Sequence, residues 1–248
     1  MSDITIRYTV DLGAATESFV LRLDPRTLEL KDRKQEELPA WTALEFQQCP
    51  NCPLRADAHP HCPAAVSLTD VMAGFGRVLS HQRVRVEAST EERTVTAETS
   101  AQVAVTSLIG LLMAVSGCPN TAHFRPMARF HLPFASPLET VYRVTSMYRL
   151  AQYFVGKAGG AQDTDFAGLL QIYERVNIVN RAFAERLRAA SELDAALNAI
   201  VALDMHTMVM PMAIDDSLAD LRDLFAPYLL EDDEVRSGAV ERARPSEQ

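Results

Sequence analysis

Each of the four cysteines in this 248-residue chain is followed by proline: Cys49-Pro50, Cys52-Pro53, Cys62-Pro63 and Cys118-Pro119. Proline is about 5% of an average chain, so a fourfold coincidence asks for a reason. The ring fixes φ at the residue after the sulfur, removes its N–H, and biases the cysteine itself toward extended backbone. A rigid turn of that kind aims a thiolate at one point. A metal site needs this, whereas a cysteine serving only as a small hydrophobe does not. The spacing agrees. Two residues separate Cys49 from Cys52, nine more lead to Cys62, and another 55 to Cys118. Two sulfurs from one short turn and two from elsewhere is the usual way a four-ligand centre is assembled.

The metal is either iron in a cluster or zinc. Cys-Pro-x-Cys occurs in zinc knuckles and rubredoxin-like iron sites, and Cys-Pro marks the closing ligand of ferredoxin-type clusters. Zinc knuckles commonly carry glycine after the second cysteine, where this chain has Pro53. The repeated Cys-Pro, the long gap to Cys118 and the apolar segment leading to it tilt the reading toward an iron–sulfur cluster, 4Fe–4S before other types. Zinc stands close behind. His59 and His61 precede Cys62, and either could replace a cysteine in a zinc site. A cluster would transfer electrons or sense, with a redox or protein partner; a zinc with four closed ligands would be structural. Other readings of the cysteines are two disulfides, a redox-switched Cys49–Cys52 pair, or four unrelated buried thiols. A thioredoxin-like motif fits poorly, because a proline-rich loop replaces the expected βαβ setting.

Three further groups invite chemistry. His123, Arg125, Arg129 and His131 cluster among apolar neighbours just after Cys118, as an anion-binding or acid/base set. The plainer reading pairs the arginines with acidic residues and uses the histidines as caps. Met205, Met208, Met210 and Met212 surround His206, and thioethers suit Cu(I), although methionine at such spacing is more often flexible packing. Ser116-Gly117-Cys118 lacks the Gly-x-Ser-x-Gly setting of a nucleophile elbow. Gly74-Phe75-Gly76 lacks the strand–turn–helix setting of a phosphate loop.

The elements that must position these residues are legible from period and caps. Ile4, Ile6, Tyr8 and Val10, then Phe19, Leu21 and Leu23, alternate as a β-hairpin across Leu12-Gly13-Ala14-Ala15, and Leu28 and Leu30 suggest a third short strand. The charge run 31–37 reads as a solvated loop. A helix is predicted from Pro63 to about Leu79 with Cys62 as its N-cap, where the dipole favours a thiolate. Val84, Val86 and Ala88 pair with Val95 and Ala97 in a second hairpin. Residues 101–116 are apolar nearly all round and too short for a membrane span, so they read as a buried helix ended by Gly117 and Pro119. Ser136-Pro137-Leu138-Glu139 is a capping box opening a helix to about Gly159. Further helices are expected from Asp163 or Asp165, from Ser191 and from Ser217, with a polar tail from Glu231. The result is an α+β fold, N-terminal β-hairpins packed on a C-terminal mostly helical bundle. Residues 1–100 form the β-rich portion, 101–230 the bundle and 231–248 the tail, in one continuous domain.

Apolar residues make up 48% and net charge is −9, an ordinary globular composition that argues against nucleic-acid and anionic-membrane partners. MSDITIRYTV has no basic region followed by an apolar run, so no signal peptide is read and cytoplasmic residence is expected. The segments around Cys49–Leu54, His61–Ala65, Ser116–Pro119 and Arg125–Phe134 together resemble a bacterial family of uncharacterised proteins of similar length. That resemblance implies no substrate and assigns no residue a role. Three function classes follow: a metalloprotein held by Cys49, Cys52, Cys62 and Cys118; an enzyme with a cleft near Arg125, Arg129 and His131; or a protein-interaction module with a structural zinc.

Overall fold

The alternation of the first hairpin becomes β1 (Ile4–Asp11) and β2 (Thr16–Leu23), joined by a turn in which Gly13 holds a φ of 84°. That conformation is open to glycine and strained for most other residues. The second hairpin becomes β3 (Arg83–Ser89) and β4 (Thr94–Ser100). The four strands form one antiparallel sheet in the order β2-β1-β3-β4, with Tyr8 opposite both Phe19 and Ala88. Ile6, Tyr8, Val10, Leu21, Leu23, Val84 and Val86 are buried on its inner face, and the residues between them are more exposed. The computed structural model describes residues 2–31, 37–75, 78–190 and 194–229.

Seven helices follow among the described residues: α1 (Pro63–Ser67), α2 (Thr69–Phe75), α3 (Ala101–Val115), α4 (Arg125–Arg129), α5 (Pro137–Lys157), α6 (Ala167–Ala190) and α7 (Asp194–Leu221). The fold is thus α+β, with the sheet at the N-terminal side and a mostly helical remainder. The apolar α3 is its centre. It packs against β3, β4 and α7, and its buried residues share one core with the inner face of the sheet and with Val179, Phe183 and Leu187 of α6. A second core joins Val141, Val144 and Tyr148 of α5 to Leu169 and Ile172 of α6 and Met210 and Ile214 of α7. No helix among the described residues is long and apolar enough to cross a membrane.

The caps fall where the sequence puts them. Ser136 accepts from Glu139 N–H at 3.2 Å while the Glu139 carboxylate accepts from Ser136 N–H at 2.7 Å. Asp163, rather than Asp165, holds the start of α6 most closely: its carboxylate accepts the Gly168 N–H at 2.7 Å and the Tyr148 O–H at 2.6 Å.

Three expectations need correction. The helix from Pro63 does not run to Leu79: it breaks at Leu68, resumes over Thr69–Phe75, and Val78 and Leu79 are not helical. Ser67 and Thr69 donate their hydroxyls to the carbonyls of Ala64 and Val66, and such local bonds compete with a continuous helix. No new helix starts at Ser217: α7 runs through Pro211 to Leu221. One missing N–H is outweighed by packing against α3, α5 and α6. Leu30 makes only a single bridge to Leu23, not a strand, because Leu28 turns at a φ of 57°. Most of the charge run 31–37, the start at Ser191 and the tail from Glu231 lie outside the described residues.

Candidate metal centre

The Cys49–Cys52 turn closes with the Cys52 N–H donating to Cys49 O at 3.0 Å. Pro50 occupies the second position of that turn, where its fixed φ suits the bend. Asn51 anchors the turn from within: its Nδ2 donates to Arg175 O of α6 at 2.9 Å, and its own carbonyl accepts from Asn120 Nδ2 at 3.2 Å. Asn120 lies two residues after Cys118, so this bond ties the first two cysteines to the fourth.

Cys62 caps α1, with Pro63 at the first helical position as expected. Its N–H donates to Thr42 O at 2.8 Å, which brings the segment around Trp41 alongside. Cys118 follows α3 beyond Gly117, whose φ of 89° turns the chain. The Cys118 N–H donates to Ser116 Oγ at 3.1 Å, and Ser116 Oγ donates to Met113 O at 2.8 Å. Ser116 is therefore consumed in shaping the turn, and the nucleophile reading finds no support.

Burial and neighbouring groups act on two of the thiols. Burial pushes the Cys49 thiol up to about 12; Cys62, Cys118 and Cys52 push it the same way and Arg186 opposes them. Burial also raises the Cys62 thiol. The backbone N–H of Ala65 and the Arg186 guanidinium work against that rise, and Cys118 adds to it. The charge on one cysteine is thus felt by the others, although α1 has only five residues and its dipole does not overcome desolvation at Cys62. The sulfurs are not drawn together tightly. Among the described residues, no three His, Cys, Asp or Glu side chains stand close enough to hold a single metal ion.

The residue that sequence reading passes over is Arg186. It lies on α6, 1% exposed, the largest of the fully buried side chains. Nη1 donates to Trp41 O at 2.6 Å and Ala43 O at 2.8 Å; Nη2 donates to Leu44 O at 3.1 Å and Gln47 O at 3.4 Å. Its Nε is buried with no partner, and no carboxylate among the described residues lies within ion-pair distance of it. Burial pulls its pKa down from the usual range, and Cys62, Cys49 and Cys52 are the groups that hold it up. The available signal was its place three residues after Phe183 and seven after Val179, on the apolar stripe of α6.

The histidine candidates are spent elsewhere. His59 is exposed. His61 Nδ1 lies 2.8 Å from Thr42 Oγ1, which itself donates to Pro39 O. Arg125 pairs with Glu29 at 2.7 Å and Arg129 with Glu92 at 3.2 Å, the plainer of the two readings. His123 is exposed, so the alternative reading of the four residues as one anion-binding set finds no support. Met210 is buried while Met205 and Met208 face outward, so those three share no copper site.

His131 alone goes inward. Its Nε2 is hydrogen-bonded to the Tyr8 hydroxyl, which reaches Ser107 Oγ at 2.9 Å. Burial, then the nearby Arg143, pushes its pKa down to about 4. The unfolded chain therefore binds a proton that the native one refuses between about pH 6.5 and 4. Stability is complete above that window and falls as pH drops through it, by about 3 kcal/mol at most for this group. Urea midpoints at pH 7 and pH 4.5 are expected to converge in His131→Gln relative to wild type; equal separations in both would refute the assignment.

An α+β protein with a buried arginine clamped on the carbonyls that precede its first Cys-Pro turn is the class that this fold defines. The chain belongs to the family described as a domain of unknown function (DUF6901), whose model matches residues 4–226, a stretch that includes all four cysteines and Arg186. Among curated proteins and among solved structures, none matches.

Proposed function

We propose that the protein is a cytoplasmic metalloprotein holding one iron–sulfur cluster, of 4Fe–4S type, through Cys49, Cys52, Cys62 and Cys118. The observation that carries this reading is the buried Arg186 guanidinium, which is held by four carbonyls, has no carboxylate within ion-pair distance among the described residues, and feels Cys62, Cys49 and Cys52 as its anionic neighbours. A buried cation without an anion is disfavoured by several kcal/mol. Four neutral thiols do not relieve it. Four thiolates around a cationic core leave a net negative centre, and that does.

The sequence favours the cluster over zinc: Pro53 stands where zinc knuckles commonly carry glycine, and an apolar segment leads to Cys118 after a long gap. A tetrahedral zinc with Zn–S bonds of about 2.3 Å needs its sulfurs about 3.8 Å apart. A polyatomic cluster binds each thiolate to a different iron, so its ligands stand wider. Cys49 and Cys52 are half-buried while Cys62 and Cys118 are buried, so one edge of the centre lies near the surface. That suits electron transfer to a redox partner, or sensing.

The test is an absorption spectrum with elemental analysis of protein purified without air. The expected sample is brown, absorbs at about 400 nm and carries stoichiometric iron and sulfide. One zinc in a colourless sample would replace the cluster with a structural ion. A folded, metal-free protein would end the proposal.

A further inference from the structure

A second site lies away from the cysteines. A cavity of about 430 Å³ opens between α3, α6, α7 and the segment from Thr121 to Arg143. Leu111, Ala114, Phe124, Leu132 and Val176 give it apolar walls. Arg125 and Arg129 are not among its lining residues, whereas His131 and Arg143 are.

Arg143 is held at one nitrogen. Its Nη2 donates to Met127 O at 3.2 Å and Phe130 O at 3.0 Å. No carboxylate among the described residues comes within ion-pair distance of it; Glu139, one turn earlier, is occupied in the Ser136 capping box. Arginine keeps its charge under all ordinary conditions. His131 is fixed by Tyr8 at Nε2, and its Nδ1 has no hydrogen-bond partner among the described residues. One cationic donor and one imidazole nitrogen therefore border a mostly apolar space, whose neutral polar lining includes Ser107, Thr140, Asn180 and Thr207. A few convergent polar groups in an apolar cavity is the usual composition of a small-molecule site. The charge calls for an anion, and the walls call for a hydrocarbon body. At about 30 Å³ per water-sized group the volume admits about 14 such groups.

We propose that this cavity binds a small apolar monocarboxylate, its carboxylate on Arg143 and His131 and its chain between Leu111, Ala114, Phe124 and Val176. The proposal is independent of the cysteine centre. It is tested by calorimetric titration of the full chain with decanoate, decanol and decyltrimethylammonium. Decanoate is expected to bind once per chain, at least tenfold more tightly than decanol, with no binding of the cation. Arg143→Met is expected to remove the tenfold preference and leave decanol binding unchanged. Ala114→Phe, which fills the cavity, is expected to abolish both. Equal binding of decanoate and decanol to the wild type, no saturable binding, or decanoate binding unaffected by Ala114→Phe would overturn it. Should Arg143→Met fail to fold, the headgroup series on the wild-type chain decides the question of charge.

Discussion

Arg186→Met is expected to leave the protein without the proposed metal and to lower its stability by about 3–5 kcal/mol, the range for removing one partner of a buried charge pair. Two effects add. The guanidinium satisfies the carbonyls of Trp41, Ala43, Leu44 and Gln47, and methionine cannot donate to any of them. Those carbonyls belong to the segment that leads into the Cys49–Cys52 turn, so two of the sulfurs lose their support. Methionine also removes the positive charge beside Cys62, Cys49 and Cys52, and an anionic centre there becomes harder to form. The contributions separate by measuring urea midpoints with and without the metal. If the cysteines bind a negative centre, the loss is larger in the loaded protein than in the chelated one. Arg186→Lys keeps charge but not the fork, and is expected to fall between. A Met variant with wild-type iron content would show that the guanidinium is a carbonyl clamp and nothing more.

Cys118→Ser is expected to have the second largest effect. In a protein with four inert thiols, this near-isosteric change at a buried site costs on the order of 1 kcal/mol. In the proposed metalloprotein it removes the ligand that connects the end of α3 to the loop bearing the other three. The 55 residues between Cys62 and Cys118 then lose a cross-link. By analogy with a disulfide of that loop length, the loss is about 4 kcal/mol. For a chain of this size that is a fall of about 10 °C in Tm. Metal content should drop below stoichiometry, and the melting curve should overlay that of chelator-treated wild type. A variant that melts within about 3 °C of untreated wild type and keeps its metal would remove Cys118 from the ligand set.

The local features of the centre could be read before any coordinates. Cys62 caps a helix because Pro63 fits its first turn, and Gly117 turns the chain ahead of Cys118 because it can adopt positive φ. Both follow from short-range sterics. The ends of helices built from ordinary residues were harder. Ser67 and Thr69 broke a helix whose apolar pattern continues past them, and Pro211 failed to break one whose packing compensates. Local preference and tertiary packing oppose each other at these positions, and pattern alone does not say which is stronger.

From its own order of residues, the chain determined the period-two hairpins, the buried α3, the capping box at Ser136 and the rigid Cys-Pro turns. Each of these depends on neighbours within about one helical turn or one strand pair. Tertiary structure alone decided which distant groups share a centre. Arg186 reaches carbonyls more than a hundred residues away, Arg125 and Arg129 find Glu29 and Glu92, and His131 turns inward to Tyr8. Such meetings are set by how α3 and α6 pack against the sheet and loops. Burial then selects the partners, because a buried polar group must find one and an exposed one need not.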